Sequence, residues 1–202
     1  MDVLQVQRAL AATPQSEGAA VVIPLVPGED GLAVLLEVRA MTLDVQPGEV
    51  CLPGGRIEEG EEPLDAAIRE TCEELLVEPH QLEVLASMGR LEGPGGLSLH
   101  VFVATLSGYD GTFSSEEVDH TFCVSLDWLV QHKPTAYRVA YEPRYPNDFP
   151  WELVPGGRAY AWRTKDHEVL FYEGTDPVIW GVTARVLDRF STMFVRDEPR
   201  SV

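Results

Sequence analysis

The apolar residues of the chain fall into short runs broken by glycine and proline, with one longer helical pattern between them. Runs at 19–26 and 32–38 are rich in valine, isoleucine and leucine, and they flank the turn-forming segment 27–31. This pattern predicts a β-hairpin. Runs at 82–91 and 97–106 flank another glycine-rich segment and predict a second hairpin.

The segment between these hairpins has the periodicity of an amphipathic helix. Apolar or small residues recur at intervals of three and four, at Leu64, Ala67, Ile68, Thr71 and Leu75. Pro63 suits the first turn of such a helix, where no backbone N–H is needed. Ahead of it, Pro53-Gly54-Gly55 and Gly60 predict a tight loop whose backbone can approach a ligand closely.

Weaker patterns predict the remaining elements. They indicate short helices at 3–12 and 126–131, an irregular segment at 138–157, a hairpin formed by 159–164 and 168–172, and a terminal helix at 177–194. Strands before and after one central helix, followed by a terminal helix, predict an α/β fold with a mixed sheet between helices. For 202 residues without a low-complexity linker we expect a single domain.

Three glutamates share one face of the predicted central helix. Glu70, Glu73 and Glu74 stand at i, i+3 and i+4, where like charges destabilise a helix unless a cation lies among them. Carboxylates select hard ions such as Mg²⁺, Mn²⁺ or Ca²⁺ over Zn²⁺. The preceding loop can bring Glu61 and a glycine carbonyl toward them, so the sequence predicts a divalent-metal site. A merely solvated acidic face would need neither the double glycine nor the adjacent arginine in register.

The overall charge limits the classes of partner. A formal net charge of -18 and a pI near 4.5 predict repulsion from nucleic acids and anionic membranes. A phosphate-bearing substrate would therefore depend on the metal and on local cations. The candidate arginines are Arg39, Arg56, Arg69 and Arg90, of which we rank Arg39 and Arg56 first.

Cysteine usage and the first residues bear on the compartment. Cys51, Cys72 and Cys123 are odd in number and lack zinc-site spacing, which is typical of reduced cysteines. Asp2 stands where a signal peptide is basic, and the apolar run that follows is too short to span a membrane. We therefore expect a cytoplasmic protein.

Residues 55–77 resemble the Nudix box, G-x5-E-x7-R-E-U-x-E-E-x-G-U, in which U is aliphatic. The matching residues are Gly55, Glu61, Arg69, Glu70, Glu73, Glu74 and Val77. From average residue frequencies, the six fixed matches would arise by chance with a probability on the order of 10⁻⁴ over the chain. Thr71 and Leu76 depart from the pattern. Because a left-handed conformation costs leucine about 1 kcal/mol or more, we expect the helix to run on or to end differently at Leu76.

This resemblance implies a Nudix-like α/β/α sandwich spanning residues 1–202 and a requirement for Mg²⁺ or Mn²⁺. The implied metal ligands are Glu61, Glu70, Glu73, Glu74 and the carbonyl of Gly54, a number that suits two or more ions. Glu74 is the first candidate for the catalytic base, followed by Glu73 and then Glu117 in a later loop. Arg69 would orient the carboxylates through hydrogen bonds.

Residues 35–55 look like the signature of the coenzyme A diphosphatases within that family, LLTxRSx3Rx3GxVxFPGG. The matches are Leu35, Leu36, Arg39, Gly48, Val50, Pro53, Gly54 and Gly55, and the mismatches are Glu37, Ala40, Asp44 and Leu52. Asp44 replaces a basic residue, and an acid there would repel a phosphate. Segments 115–129 and 179–187 also look like that subfamily.

The subfamily resemblance implies hydrolysis of coenzyme A or acyl-CoA to a phosphopantetheine and adenosine 3′,5′-bisphosphate. Arg39, Gly48 and the segment at 179–187 favour this small-molecule nucleotide substrate, whereas Asp44 counts against it. The alternative substrate is ADP-ribose or another nucleoside diphosphate linked to a sugar or nucleotide. A non-catalytic nucleotide-binding module would be expected to lose metal carboxylates, and all four are present. The resemblance is also compatible with a homodimer.

Aromatic residues in the second half leave two interpretations open. Ile179, Trp180, Ala184 and Leu187 fall on one helical stripe, which favours core packing for Trp180. Tyr141, Tyr145, Phe149 and Trp151 could stack on an adenine or line a dimer interface, and the sequence favours neither.

Overall fold

A computed structural model describes residues 18–93, 96, 98–140, 143–162 and 166–194. The helix predicted at 3–12 lies outside the described residues, as does Tyr141. Apart from short loop gaps, the described ranges contain every strand and helix on which the candidate site depends.

Within the described residues, the main sheet has seven strands and mixed polarity. They are β1 (Ala19–Gly28), β2 (Gly31–Arg39), β3 (Val50–Cys51), β4 (Gly54–Arg56), β5 (Leu82–Glu92), β6 (Ser98–Leu106) and β7 (Val118–Ser125). Strands β5, β6, β1 and β2 are neighbours in that order, and β7 pairs with the other edge of β2. Because β1 and β6 are parallel and the other pairs are antiparallel, both predicted hairpins and the predicted mixed sheet are confirmed.

The β1–β2 hairpin opens into a fork that holds the glycine-rich loop. The two strands pair only near their turn, from Leu25 opposite Val34 to Gly28 opposite Gly31. At the open end β3 pairs with β2 and β4 pairs with β1, so the chain crosses from one strand to the other. A hydrogen bond from the Val22 N–H to the Pro53 carbonyl (2.9 Å) fixes the crossing. The fork thereby places Gly54 and Gly55 at the middle of the sheet.

Helices cover both faces of this sheet. The described α-helices are α1 (Pro63–Leu75), α2 (Leu126–Gln131) and α3 (Gly181–Thr192). Ala66, Ala67 and Leu75 of α1 pack in one apolar cluster with alternate residues of β1 and β2. Val186 and Leu187 of α3 pack against the opposite face of the same strands. The three-layer α/β arrangement is thus confirmed, and α2 lies where it was predicted.

A small second sheet corrects the prediction for the C-terminal part. Its antiparallel strands are β8 (Thr135–Val139), β9 (His167–Tyr172) and β10 (Ile179–Trp180), with β9 in the centre. The predicted hairpin of 159–164 with 168–172 is wrong, because β9 pairs with the distant β8, and Gly157–Ala159 is a 3-10 helix. The terminal helix begins at Gly181 rather than at 177, since the chain first adds β10 to this sheet.

The end of α1 also differs from the prediction. Pro63 occupies its first turn, but the helix stops at Leu75 and Leu76 adopts the left-handed conformation, with φ 54° and ψ 45°. We expected leucine to avoid this conformation, and that expectation is wrong. The Leu76 side chain is exposed, whereas Val77 is buried and its N–H donates to the Cys72 carbonyl (3.2 Å). Burial of Val77 and closure of the last turn therefore offset the backbone strain.

Candidate active site

The glycine loop and α1 approach each other so closely that a side chain would not fit between them. A Cβ on Gly55 would lie 2.5 Å from the carboxylate carbon of Glu70. Gly54 has φ 139°, a value that favours glycine, and a Cβ there would collide with the backbone of β1. Glycine at 54 thus lets the loop lie against β1, and glycine at 55 leaves room for the Glu70 carboxylate beside the loop backbone.

Arg69 gathers the outward-facing carboxylates. Its guanidinium binds Glu61 through two hydrogen bonds of 2.9 and 3.0 Å, Glu70 at 2.9 Å and Glu73 at 3.4 Å. A further bond of 3.4 Å reaches the carbonyl of Arg56 in β4. Hydrogen bonding to Arg69 lowers the pKa of Glu61 below its ordinary value. These contacts are the ones that an orienting role for Arg69 needs.

Glu74 points the other way, into the protein. It is 4% exposed, and one carboxylate oxygen accepts a hydrogen bond from the Gly54 N–H (2.8 Å). Burial raises the pKa of Glu74, and the negative charges of Glu37, Glu70 and Glu117 raise it further. The proposed metal ligands therefore do not share one environment, because Glu61 and Glu73 bind Arg69 while Glu74 is buried.

The loop before β7 carries Glu117 to the same place. The Ala40 N–H donates to the Glu117 carbonyl (2.8 Å), and the Ser114 N–H donates to the Glu74 carbonyl at the end of α1 (2.7 Å). The charge of Glu117 contributes to the raised pKa values of Glu37, Glu70 and Glu74. Sheet, helix and loop thus each direct a carboxylate toward one region beside Gly54.

Comparison with known proteins agrees with this geometry. The family model described as NUDIX domain matches residues 16–147. The chain belongs to the Nudix family. The resemblance of residues 55–77 to the Nudix box is thereby confirmed.

Several relatives of this Nudix chain carry informative names. Nudix hydrolase 22, chloroplastic, from Arabidopsis thaliana is 30% identical over 190 residues, which cover 90% of this chain and 56% of that protein. Peroxisomal coenzyme A diphosphatase NUDT7 from Mus musculus is 26% identical over 192 residues, 89% of this chain and 71% of the relative. Peroxisomal coenzyme A diphosphatase ndx-8 from Caenorhabditis elegans is 39% identical over 109 residues, 52% of this chain and 46% of the relative.

Coverage of these relatives is partial. The chain spans 56% of the Arabidopsis protein and 54% of Nudix hydrolase 3 from Caenorhabditis elegans. Among solved structures, the Nudix hydrolase RenU from M. Smegmatis superposes on 57% of this chain and 74% of its own, with 27% identity and a TM-score of 0.47.

In the described part of the chain no helix is long and apolar enough to cross a membrane. The cytoplasmic location stays a prediction.

The carboxylates of this Nudix site fit a divalent cation by their chemistry. Among the described residues, no group of three or more His, Cys, Asp and Glu side chains is close enough to hold a metal ion as the side chains stand. Arg69 supplies the positive charge for the outer carboxylates. In the described part of the chain the inner pair, Glu37 and Glu74, forms no ion pair, and the charge of Arg39 acts on Glu37 without binding it. All the donors of the site are the hard oxygens that Mg²⁺ and Mn²⁺ prefer.

A cavity of about 420 Å³ opens beside Gly54 on the α3 side of the fork. Its wall is mainly apolar and includes Leu52, Leu99 and Val182, with Arg39 among the polar residues. The charge of Arg39 lowers the pKa values of Glu37 and Cys51, so its guanidinium lies near both residues as well as at the cavity wall. Asp44 is exposed and does not line this cavity.

The other candidate arginines have different surroundings. Arg56 is exposed on β4, where its carbonyl binds Arg69, and it does not line the cavity. Arg90 binds its neighbour Glu92 through Nε at 2.8 Å. Of the two arginines ranked first, only Arg39 therefore lies at the cavity in the described part of the chain.

The aromatic residues give one correction and one observation. The prediction that Trp180 is a core residue is wrong, because it is 40% exposed, stacks on Phe171 at 5.7 Å and lines the cavity. Tyr145, Phe149 and Trp151 pack against one another, with ring centroids 4.6 to 5.0 Å apart. Trp162 joins this cluster at 5.7 Å from Tyr145.

One acidic residue of the site was not predicted. Glu37 entered the sequence analysis only as a mismatch to the coenzyme A signature, yet it is 1% exposed and contacts Glu74. An acid inside the apolar run of β2 was the available signal. Without the strand partners, that run could not show which face of the sheet Glu37 occupies.

Proposed function

We propose that this Nudix protein hydrolyses the diphosphate linkage of a nucleoside diphosphate derivative with the aid of Mg²⁺ or Mn²⁺. The observation that supports this most strongly is the approach of Glu70 and Glu74 to the Gly54–Gly55 backbone, with the charge of Glu117 acting on both carboxylates. These carboxylates come from a helix and a distant loop, and they lie next to a cavity of suitable size for a small ligand. A solvated acidic face would have no reason to bury Glu74.

Each residue of the site has a proposed role in hydrolysis. Glu70, Glu73, Glu74, Glu61 and the Gly54 carbonyl would hold the metal, which when bound supplies charge neutralisation for the diphosphate and a more acidic water. Glu74, Glu73 or Glu117 would accept the proton from the attacking water, with Glu74 the first candidate. Arg69 holds three of the carboxylates in place, and the sheet excludes bulk water from Glu74.

Coenzyme A or acyl-CoA is the substrate that the observations favour. Two relatives carry the name coenzyme A diphosphatase. Arg39 lies at the cavity wall, where a phosphate of the substrate could bind it, while the apolar wall suits a pantetheine arm. Asp44, the residue that counted against coenzyme A, lies outside the cavity lining.

A second candidate, ADP-ribose or a related nucleoside diphosphate, is favoured by one feature of the wall. Glu49 lines the cavity with Arg39, and an acid suits ribose hydroxyls better than an additional phosphate. A non-catalytic nucleotide-binding role is the third alternative, and the retained metal carboxylates count against it.

A substrate panel tests these alternatives. Initial rates would be measured for coenzyme A, dephospho-coenzyme A, acetyl-CoA, ADP-ribose and diadenosine polyphosphates, each with Mg²⁺ and with Mn²⁺. We expect the highest kcat/KM for coenzyme A or its acyl derivative, and adenosine 3′,5′-bisphosphate as a product. If ADP-ribose is cleaved faster than coenzyme A, ADP-ribose becomes the proposed substrate. If the protein cleaves none of these diphosphates in the presence of metal, the enzymatic proposal is overturned.

A further inference from the structure

Glu37 is an acidic residue at a position that the sheet would ordinarily fill with an apolar side chain. On β2 it follows Ala33 and Leu35 on alternate positions, and those two residues belong to the apolar cluster that packs against α1. Glu37 itself is 1% exposed. A buried carboxylate loses its hydration, which is costly unless other groups replace the lost water contacts.

The protein replaces only part of that hydration. One oxygen of Glu37 accepts the Cys51 S–H at 3.2 Å, a weak donor. The other oxygen, Oε2, is buried without a hydrogen-bond donor. Within the described residues no lysine, arginine or histidine forms an ion pair with Glu37, since Arg39 instead donates to the Val45 carbonyl at 3.3 Å. Half of a fully buried carboxylate is therefore unsatisfied.

The group beside the Glu37 carboxylate is another acid. The carboxyl of Glu74 lies within hydrogen-bonding reach of Glu37, and it is held there by the Gly54 N–H. Two ionised carboxylates in contact repel strongly at low local dielectric, and Glu117 adds further negative charge. Either a shared proton or a cation must relieve this repulsion.

The surrounding charge distinguishes these possibilities. A shared proton would neutralise only one of the two carboxylates, and the negative charges of Glu70 and Glu117 would still act on Glu74. A divalent cation can balance both carboxylates. The chain also places Glu70 and Glu117 close enough to act on the charge of Glu74, which enlarges the supply of oxygen ligands at the same point.

We propose that Glu37 is a metal ligand contributed by the sheet, which binds a divalent cation together with Glu74 on the inner side of the site. It stands outside residues 55–77, so the Nudix box does not include it. This proposal rests on the divalent ion of the proposed function. It assigns to that ion a carboxylate from β2 in addition to the carboxylates of α1.

Metal affinity gives the first test. Mn²⁺ binding to the full chain would be measured by electron paramagnetic resonance titration for the wild type, Glu37→Gln and the control Glu49→Gln. Glu49 is a partly buried glutamate on the segment leading into β3, and its carboxylate binds Gln46 at 3.1 Å. We expect Glu37→Gln to weaken Mn²⁺ binding at least about tenfold, and Glu49→Gln to change it by less than about twofold.

Folding of the variant is checked separately. Because glutamine keeps the shape of Glu37 and removes a buried charge, the metal-free Glu37→Gln protein should melt at or above the temperature of the wild type. A loss of Mn²⁺ affinity in a variant that is equally or more stable is therefore a property of the site. Unchanged Mn²⁺ affinity in Glu37→Gln would overturn the proposal and leave Glu37 as a proton-sharing partner of Glu74.

A count of bound water separates a ligand from a residue that only positions Glu74. Eu³⁺ that Mn²⁺ can displace would be used as a luminescent probe, with lifetimes compared in H₂O and D₂O. If Glu37 is a ligand, Glu37→Ala should add about one water to the ion, because water takes the vacant position. An unchanged water count would contradict direct ligation.

The outcomes also separate this inference from the proposed function. If the wild type binds no Mn²⁺ and cleaves no diphosphate, both proposals fail. If the wild type binds Mn²⁺ and hydrolyses a diphosphate while Glu37→Gln binds Mn²⁺ as tightly, only the role of Glu37 is wrong.

Discussion

Two sets of carboxylates meet at the glycine loop, and they differ in what balances their charge. The outer set, Glu61 and Glu73, is 17% and 58% exposed and binds Arg69. The inner set, Glu37 and Glu74, is at most 4% exposed, and among the described residues its hydrogen-bond donors are a backbone N–H and a thiol. Arg69 on α1 already shares its positive charge with the outer set, so an added cation should gain most at the inner set.

Replacement of an inner carboxylate should therefore have the largest effect. Glu74→Gln removes one charge from a buried position, which weakens metal binding and any base role together. We expect turnover to fall at least ~10²-fold with the fold intact. The matched outer variant, Glu73→Gln, should lose about tenfold or less, because water and Arg69 already share that carboxylate.

Steady-state kinetics at saturating Mg²⁺ would measure both variants, with circular dichroism as the check on folding. Near-normal turnover of Glu74→Gln would remove Glu74 from the metal and base roles. If Glu73→Gln lost more turnover than Glu74→Gln, the outer carboxylate would be the more important of the two, contrary to this prediction.

The same contrast applies to the two arginines. Arg39 lies at the cavity and close to Glu37, whereas Arg56 is exposed and contacts Arg69 through its carbonyl. A charge-assisted contact with a substrate phosphate contributes about 1.5 to 3 kcal/mol. We expect Arg39→Ala to lower kcat/KM for coenzyme A roughly ten- to a hundredfold.

The control variant Arg56→Ala should lose about threefold or less, since its side chain lies outside the cavity. The loss caused by Arg39→Ala would also be measured with dephospho-coenzyme A, which has no 3′-phosphate. If Arg39 binds the 3′-phosphate, the loss should be smaller with dephospho-coenzyme A than with coenzyme A. Equal losses for the two arginine variants would show that the cavity does not hold the substrate phosphate.

Stability without metal should depend on pH through the inner pair. Burial raises the pKa of Glu37 from 4.5 to about 7 and also raises that of Glu74. Their protonated forms are therefore favoured by folding, and this stabilisation is complete below about pH 4.5 and lost as pH rises through the raised values. We expect the melting temperature in EDTA to fall by a few degrees between about pH 4.5 and 7 as Glu37 ionises, with a further fall above pH 7 from Glu74.

Differential scanning fluorimetry measures this change. Saturating Mg²⁺ should raise the melting temperature and remove most of the fall, because the ion takes the place of the proton. Glu37→Gln should also flatten the metal-free profile, while Glu61→Gln should not, since the pKa of Glu61 is lowered rather than raised. A metal-free melting temperature independent of pH would contradict the coupling of the inner pair.

Sequence periodicity was sufficient for the outer part of the site and for the elements that carry it. Helix α1 and both long hairpins have enough residues to show their period. Glu70, Glu73 and Glu74 were selected from their helical spacing, and Glu61 from the loop that precedes them. Their roles as metal ligands stay predictions. The shortest strands, β3 and β10, have two residues each and therefore no period to detect.

The inner part depends on contacts between residues far apart in sequence. Glu37 and Glu74 meet only because β3 and β4 enter the fork between β1 and β2. Likewise, the exposure of Trp180 follows from the pairing of β9 with β8 and β10, which no local pattern indicates. The prediction for Leu76 was wrong because the burial of Val77 offsets the free-energy cost of the left-handed conformation at Leu76.

The smallest expected effect concerns Asp44, which lies outside both sets. Asp44→Arg restores the charge of the coenzyme A signature, so it should favour a phosphate-rich substrate. Because Asp44 is exposed and does not line the cavity, solvent and salt screen its charge, and we expect kcat/KM for coenzyme A to rise only about two- to threefold. The gain should shrink as NaCl is raised from about 0.05 to 0.5 M, where the Debye length shortens. A gain of tenfold or more that persists in high salt would mean that Asp44 contacts the substrate directly, and the cavity beside Arg39 would then be only part of the binding site.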